Sequence, residues 1–312
     1  MNYLFYLSLL PVLLLLWESV SHHFDGFDSK RLRGKRVLVC GASTGIGEQM
    51  AYQYCSFGAH VAILSRRKKK LDKVALRCKA LGAASVTVVA GDVSTAQESK
   101  RILQETLDSE GFGGKLDVLV LNHVIGIWGW WLPEEGMSSF NLLDGPNELA
   151  KGVSGGYSFV EKIFRVNTFS YIYLSTMAMP VLEKSEGRII VVSSGAGEQG
   201  LPKVAPYSAT KHALHGFFDS LRLELKHKGI PVSISLGVIG NIDTEANRKN
   251  TGNDLKLIKR ASKEDCALAI IRAGESRERH FYHPKSQGLH IMPKVRPWMR
   301  DVMDMILLKI AI

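Results

Sequence analysis

The sequence predicts an α/β fold in which a parallel sheet is covered by helices on both faces. Three observations point to it. Short apolar runs rich in β-branched residues recur along the chain, among them "RVLVCGAS", "HVAILSR" and "GRIIVVSS". Amphipathic helical patterns separate them, as crossovers between parallel strands require. The runs are also continuous rather than alternating, which suits strands buried on both sides.

In chain order, "RVLVCGAS" ends at a glycine and leads into a helix through "GIGEQMAYQYCSFG". "HVAILSR" precedes a helix near Lys69–Leu81, and "SVTVVAGD" precedes one at Ser94–Ser109. "LDVLVLNH" is the next strand, and a long helix through Val160–Glu183 leads to "GRIIVVSS". An amphipathic helix over Ala205–Lys226 and the strand "PVSISLGVIG" follow. This alternation is that of a doubly wound, Rossmann-type single domain, expected over residues 34–279. Residues 126–158 break the pattern, with seven glycines, two prolines and three tryptophans and no clean period, and read as an atypical insertion. Residues 280–312 form a C-terminal tail with basic residues, Trp298 and an apolar end. A dimer contact, a membrane-surface contact and a packed tail all suit it.

The 312 residues suffice for one large domain with attachments, and 46% apolar with 22% charged residues is an ordinary globular composition. The net charge of +10 is concentrated in "KRLRGKR" and "SRRKKK". These clusters suit a solvated basic surface, a site for an anionic cofactor or contact with acidic headgroups. They lack interleaved aromatics or a nucleic-acid-binding module, so nucleic acid is not an expected partner. Cys40, Cys55, Cys78 and Cys266 show neither paired nor metal-ligand spacing and are expected as buried thiols, with no metal site.

The first twenty residues stand apart. Tyr3–Val20 carries one charge, Glu18, and reaches the lower edge of membrane-spanning length. No basic n-region or clear cleavage site marks a signal peptide, so a retained anchor (1–20) with a linker (21–33) is expected. A cleaved signal or an interfacial segment are the alternatives. Lys30, Arg31 and Arg33 favour a cytosolic body by the positive-inside tendency. Asp25 and Asp28 lie closer to the segment, however, and no glycosylation sequon marks the lumenal side.

"CGASTGIGEQM" joins the first strand to a helix, with Gly41, Gly45 and Gly47 at the spacing that lets backbone approach a phosphate. Its residues Gly41, Ser43, Thr44, Gly45, Ile46 and Gly47 are candidate dinucleotide contacts. The second strand ends in Ser65-Arg66-Arg67, where an NAD site offers a carboxylate. Two guanidiniums attract a 2′-phosphate instead, so NADP(H) is the expected cofactor. Asp92 and Val93, after the third strand, are expected near the adenine.

The helix Ala205–Lys226 opens with Tyr207 and Lys211 four residues apart, hence on one face. Alone, such a pair fits an ordinary surface helix, Ser194 a strand end and Asn167 a buried amide. The ordered set of the glycine turn, Asn122, Asn167, Ser194 and Tyr207-x-x-x-Lys211 resembles the short-chain dehydrogenase/reductase family. "VLNH", "GAASVTVVAGD", "VVSSGAG" and "GVIGNIDTE", behind an apolar N-terminus, resemble its 11β-hydroxysteroid dehydrogenase type 1 and type 1-like branch. The likeness spans roughly 34–279, apart from 126–158.

The resemblance implies Tyr207 as acid/base, tuned by Lys211, which also holds the nicotinamide ribose. It implies Ser194 on the substrate oxygen, Asn167 holding a water that links Lys211 to solvent, and Asn122 beside the cofactor. Ile242 would bind the carboxamide by its backbone and Thr244 a phosphate. Ile239-Gly240 stands where the family commonly has Pro-Gly, and His123 where the wider family has a small residue, fitting substrate contact or packing. A steroid or similar lipid alcohol/ketone is the implied substrate, with retinoids and other lipid carbonyls as rivals. A homodimer and an endoplasmic reticulum membrane location with a lumenal body are implied too; secretion after cleavage is the alternative. A fold-retaining lipid- or partner-binding protein without turnover is the reading of another class, and the intact Ser194–Tyr207–Lys211 set counts against it.

Overall fold

The computed structural model describes residues 27–131 and 156–288 except 253, 256 and 257, together with 305, 308 and 309. Seven parallel strands form one sheet in the order β3-β2-β1-β4-β5-β6-β7. They are β1 (Arg36–Cys40), β2 (His60–Ser65), β3 (Ser85–Ala90), β4 (Val118–Leu121), β5 (Arg188–Val192), β6 (Ser233–Ile239) and β7 (His280–His283). Helices α1 (Gly45–Ser56), α2 (Lys68–Ala80), α3 (Ala96–Asp108), α4 (Gly156–Phe164), α5 (Ser170–Lys184), α6 (Ala205–His227), α7 (Glu245–Thr251) and α8 (Lys263–Glu275) make the connections.

Strand residues alternate between two cores. Val37 and Val39 join Met50, Tyr54, Leu71, Val74 and Ile270 on the face covered by α1, α2 and α8. Leu38 and Cys40 join Ile102, Tyr171, Leu174, Leu214 and Phe218 under α3, α5 and α6. Both faces are therefore dry, and β4 is buried along its whole length. All four cysteines are buried free thiols.

The edge opposite the strands' carboxyl ends is held by ion pairs. Asp117, 3% exposed, accepts from the Arg36 backbone N at 2.8 Å, Arg36 Nε at 2.6 Å and Nη2 at 2.9 Å. Burial pushes the Asp117 carboxyl up, and the Arg36 contacts outweigh it, leaving the group below its ordinary value. Arg188 pairs there with Glu275 on α8.

The structure departs from expectation in three places. The sheet runs past residue 279: His280–His283 form its edge strand, paired with β6. Phe27 and Leu32, within the expected linker, pack into the first core. The long helix over Val160–Glu183 is interrupted by a π-helical turn at Arg165–Phe169. The expected anchor (1–20) lies outside the described residues, as do most of the 126–158 region and of the tail. Among the described residues, no helix is long and apolar enough to cross a membrane.

Candidate active site

The strand order reverses direction between β1 and β4, and ligands of open parallel sheets bind beyond the carboxyl ends of the strands at that point. Gly41 follows β1 with φ +82°, and a Cβ there would lie 2.8 Å from the Cα and N of His123. A Cβ on Gly47 would strike the Gly41 carbonyl and lie 2.6 Å from Asn122 Nδ2; one on Gly45 would lie 3.3 Å from Thr244. The glycine turn is thus packed backbone-first against the ends of β4 and β6. Thr44 precedes α1 without capping its first turn, which leaves those N–H groups facing out of the helix. Ile46 packs into the first core.

Arg67 binds this turn directly. Its guanidinium donates to Ser43 Oγ (Nη2 at 2.7 Å) and to Thr44 Oγ1 (2.8 Å), while its backbone N donates to Ser65 Oγ (2.9 Å). Arg66 lies 3.8 Å from Asp92, both half-exposed. Asp92 accepts from Ser94 N at 3.0 Å, and Val93 is buried in the second core. A cleft of about 150 Å³ bordered by Arg66, Asp92, Ser94, Glu161 and Arg165 opens here.

Ser194 ends the loop after β5, where its Oγ accepts from Ala196 N at 3.2 Å and acts on the Tyr207 phenol to lower its pKa. Lys211, one turn further along α6, is 2% exposed. Its Nζ donates to Val192 O at 2.9 Å and lies 5.3 Å from the Tyr171 ring and 5.7 Å from the Tyr207 ring. The resemblance has Lys211 lowering the phenol's pKa. In this geometry burial dominates both groups and drives each to its neutral form. Tyr207 is raised by burial and drawn back only by Ser194, and Lys211 is pushed down to about 7 by burial.

Asn167 sits in the π turn, fully buried. Its Oδ1 accepts from Ile125 N (2.8 Å), and its Nδ2 donates to Ile125 O (2.9 Å) and to Thr210 Oγ1 (3.4 Å). The amide therefore ties the loop after β4 to α6. The π turn's extra residue brings it to that depth; such turns recur at functional sites. Ile242 is buried and bridges to Ala261. Thr244 caps α7, accepting from Asn247 N at 3.1 Å.

Further residues gather at this edge, some from the 126–158 region and the segment before Tyr207, others, such as Phe159, Ile163 and Asp254, not singled out from the sequence. Ile125, Ile127, Trp131, Phe159, Ile163 and Phe164 form an apolar cluster against Tyr207. Asp254 Oδ2 accepts from Trp128 Nε1 (2.7 Å) and Lys203 Nζ (2.9 Å), Lys203 lies 5.4 Å from the Trp130 ring, and Gly129 N donates to Lys203 O (2.8 Å). This clasp joins the loops after β4, β5 and β6. Tyr171, four residues after Asn167 on the same helix face, had a readable signal in that spacing.

Residues 35–254 match the family described as short chain dehydrogenase. The chain belongs to that family. Among curated relatives, it is similar to the hydroxysteroid 11-beta-dehydrogenase 1-like protein of Gallus gallus, 39% identical over 277 residues, covering 89% of this chain and 86% of the relative. The Xenopus tropicalis protein of that name is 38% identical, covering 83% and 82%. Solved structures share the fold. A short-chain dehydrogenase/reductase from Burkholderia phymatum in complex with NAD aligns with TM-score 0.69 at 20% identity, covering 87% of this chain and 96% of its own. An alcohol dehydrogenase from Thermococcus sibiricus complexed with 5-hydroxy-NADP aligns with TM-score 0.63 at 20% identity, covering 80% and 95%.

Proposed function

We propose that this short-chain dehydrogenase is an NADP(H)-dependent oxidoreductase interconverting a hydroxyl and a ketone on a steroid of the 11β-hydroxy/11-oxo type. The observation that carries the reading is the convergence of Ser194, Tyr207 and Lys211 beside a backbone-lined glycine cradle.

The residues fit a dinucleotide. Gly41 and Gly47 let the turn pack backbone-first, where any Cβ would clash with His123, Gly41 or Asn122, the first-turn N–H groups of α1 suit a pyrophosphate, and Arg66 and Arg67 suit a 2′-phosphate. Ser43, Thr44, Gly45, Ile46, Ser65, Asp92, Val93 and Asn122 complete the binding edge, with Ile242 and Thr244 toward the nicotinamide end. Once bound, the nicotinamide supplies or accepts the hydride.

The chain's own residues handle the proton. Ser194 Oγ donates to the substrate oxygen and orients it. Tyr207 donates its phenolic proton to that oxygen in reduction and takes it back in oxidation. Lys211 would hold the ribose hydroxyls of the bound cofactor and, when protonated, stabilise the phenolate left on Tyr207. Asn167 keeps Ile125 and α6 in register and supports the water path to Lys211. The apolar cluster against Tyr207 excludes water and favours a flat hydrocarbon ligand. The name borne by the curated relatives adds the steroid.

The proposal extends to an endoplasmic reticulum membrane protein, anchored by residues 1–20 with a lumenal body, acting as a homodimer through α5 and α6. A monomer in sedimentation at micromolar concentration removes the last point.

The deciding experiment uses membranes carrying the full chain, wild type beside Tyr207→Phe, given NADPH with cortisone or NADP⁺ with cortisol. Interconversion by the wild type, reduced in the variant by about 10²-fold or more, is the expected result. No conversion while NADPH still binds would sink the glucocorticoid assignment and send the search to retinoids and other lipid carbonyls.

A further inference from the structure

His123 follows Asn122 at the end of β4, with conventional acid–base chemistry closed to it: burial pushes its imidazole down to about 3. Its hydrogen bonds nevertheless fix its tautomer. Ser170 Oγ has one hydrogen, which it donates to Val166 O at 2.6 Å. The 2.6 Å contact between Ser170 Oγ and His123 Nε2 must therefore be made by an N–H on Nε2. Nδ1 is left as a bare lone pair, completely buried and without a partner among the described residues. Buried acceptors rarely stay unpaired.

Of the groups near it, Lys211 is the one with charged donor hydrogens to spare. The Tyr171 ring from α5 stacks on the imidazole at 4.4 Å, but its hydroxyl is committed to His123 O at 2.7 Å. Cys40 on β1 keeps its thiol hydrogen, its ionisation raised by burial, but a thiol is a weak donor. His215 on α6 is pushed down to about 4, by burial first and then by His280, and is a neutral donor at most. Tyr207 stays a neutral phenol, raised by burial. Lys211 acts electrostatically on His123 and lies against the same Tyr171 ring. One of its three ammonium hydrogens goes to Val192 O.

We infer that His123 is a positioning residue for Lys211: its Nδ1 accepts a hydrogen bond from the ammonium, directly or through one water, and keeps that lysine charged near neutral pH. An acceptor-only atom stabilises an ammonium over an amine, opposing the desolvation that burial imposes on Lys211. The inference rests on Lys211 being the residue that serves cofactor and Tyr207, as proposed above, but the lysine's titration can be read without either.

The test follows the Lys211 Nζ resonance in the ¹⁵N-lysine-labelled full chain in detergent, without cofactor, assigned by its loss in Lys211→Met. His123→Gln can still donate to Ser170 from its amide while lacking an acceptor in the Nδ1 position. His123→Asn places Oδ1 near that position while giving up Ser170. The expected result is a wild-type midpoint near 7, about one pH unit lower in His123→Gln, and near the wild-type value in His123→Asn. An unchanged midpoint in His123→Gln, or an equal shift in both variants, overturns the inference, since packing alone would then account for the residue. NADPH binding, followed by fluorescence from pH 5.5 to 9, should weaken about tenfold at pH 7.5 in His123→Gln and little at pH 5.5. Failure of the wild type to bind NADPH would overturn the cofactor reading, while the lysine midpoint would still decide the role of His123.

Discussion

Replacing Lys211 by methionine should make the protein more stable while removing its activity. A fall from 10.5 to about 7 corresponds, at 1.36 kcal/mol per pH unit, to roughly 4–5 kcal/mol against the charged form. At pH 7 the folded chain bears most of that cost, because the unfolded lysine is fully protonated. Methionine fills a similar volume without charge, but it leaves Val192 O without the 2.9 Å donor it now has, a loss of about 1–3 kcal/mol. The net gain is about 1–4 kcal/mol, or roughly 2–16 °C in melting temperature for a domain of this size. The pH dependence has a definite sign. Between about 7 and 10.5 the unfolded chain holds a proton that the folded chain has released, so this group makes wild-type stability rise with pH across that window. The variant lacks the slope, and its advantage should be largest below pH 7 and close toward pH 10. Calorimetry of cofactor-free protein at pH 6, 7.5 and 9 checks this. A variant that melts at or below the wild type at pH 6, or an advantage that does not shrink with rising pH, refutes the reasoning.

Gly47→Ala should weaken NADPH binding more than tenfold and cost about 1–3 kcal/mol of stability, because its Cβ meets the Gly41 carbonyl and Asn122; fluorescence titration and a urea melt read the two effects. Arg67→Glu should lower the preference for NADPH over NADH by about tenfold or more, seen in the ratio of their dissociation constants, and an unchanged ratio would remove Arg67 from 2′-phosphate recognition. Asp117→Asn should cost about 2–3 kcal/mol in chemical denaturation at pH 7. Since the folded carboxyl lies below its ordinary value, that cost should vanish as pH falls through the folded-state pKa.

The strands up to β6 were legible because each carries a run rich in apolar and β-branched residues, unbroken in β4, the pattern that two covered faces impose. The edge strand β7 was not. It reads "HFYH", and of its residues only Phe281 is buried, whereas the other edge strand, β3, carries Val86, Val88 and Val89. The short α7 escaped for a related reason, since one of its residues, Thr251, is buried. Helical spacing put Tyr207 and Lys211 on one face, but the grouping with Ser194 was implied by the family resemblance, and the structure brings the three together. The π turn could not be read, because one extra residue in a helix leaves no trace in composition; it shows only through the bonds of Asn167 to Ile125. The direct contact of Arg67 with Ser43 and Thr44 was half legible: the charge was evident, but its attachment to the glycine turn depends on how α2 leaves β2.

The clasp of Trp128, Lys203 and Asp254 has a consequence for how this protein can change over generations. Three loops that would border the substrate are fastened to one another through a single carboxylate, while Ser194 follows β5 and Tyr207 and Lys211 stand on α6. Substitutions at Asp254 thus reshape the mouth as one block and leave the chemistry beneath it alone. Ligand range in this lineage should shift in jumps, each a few substitutions wide, rather than drift one contact at a time.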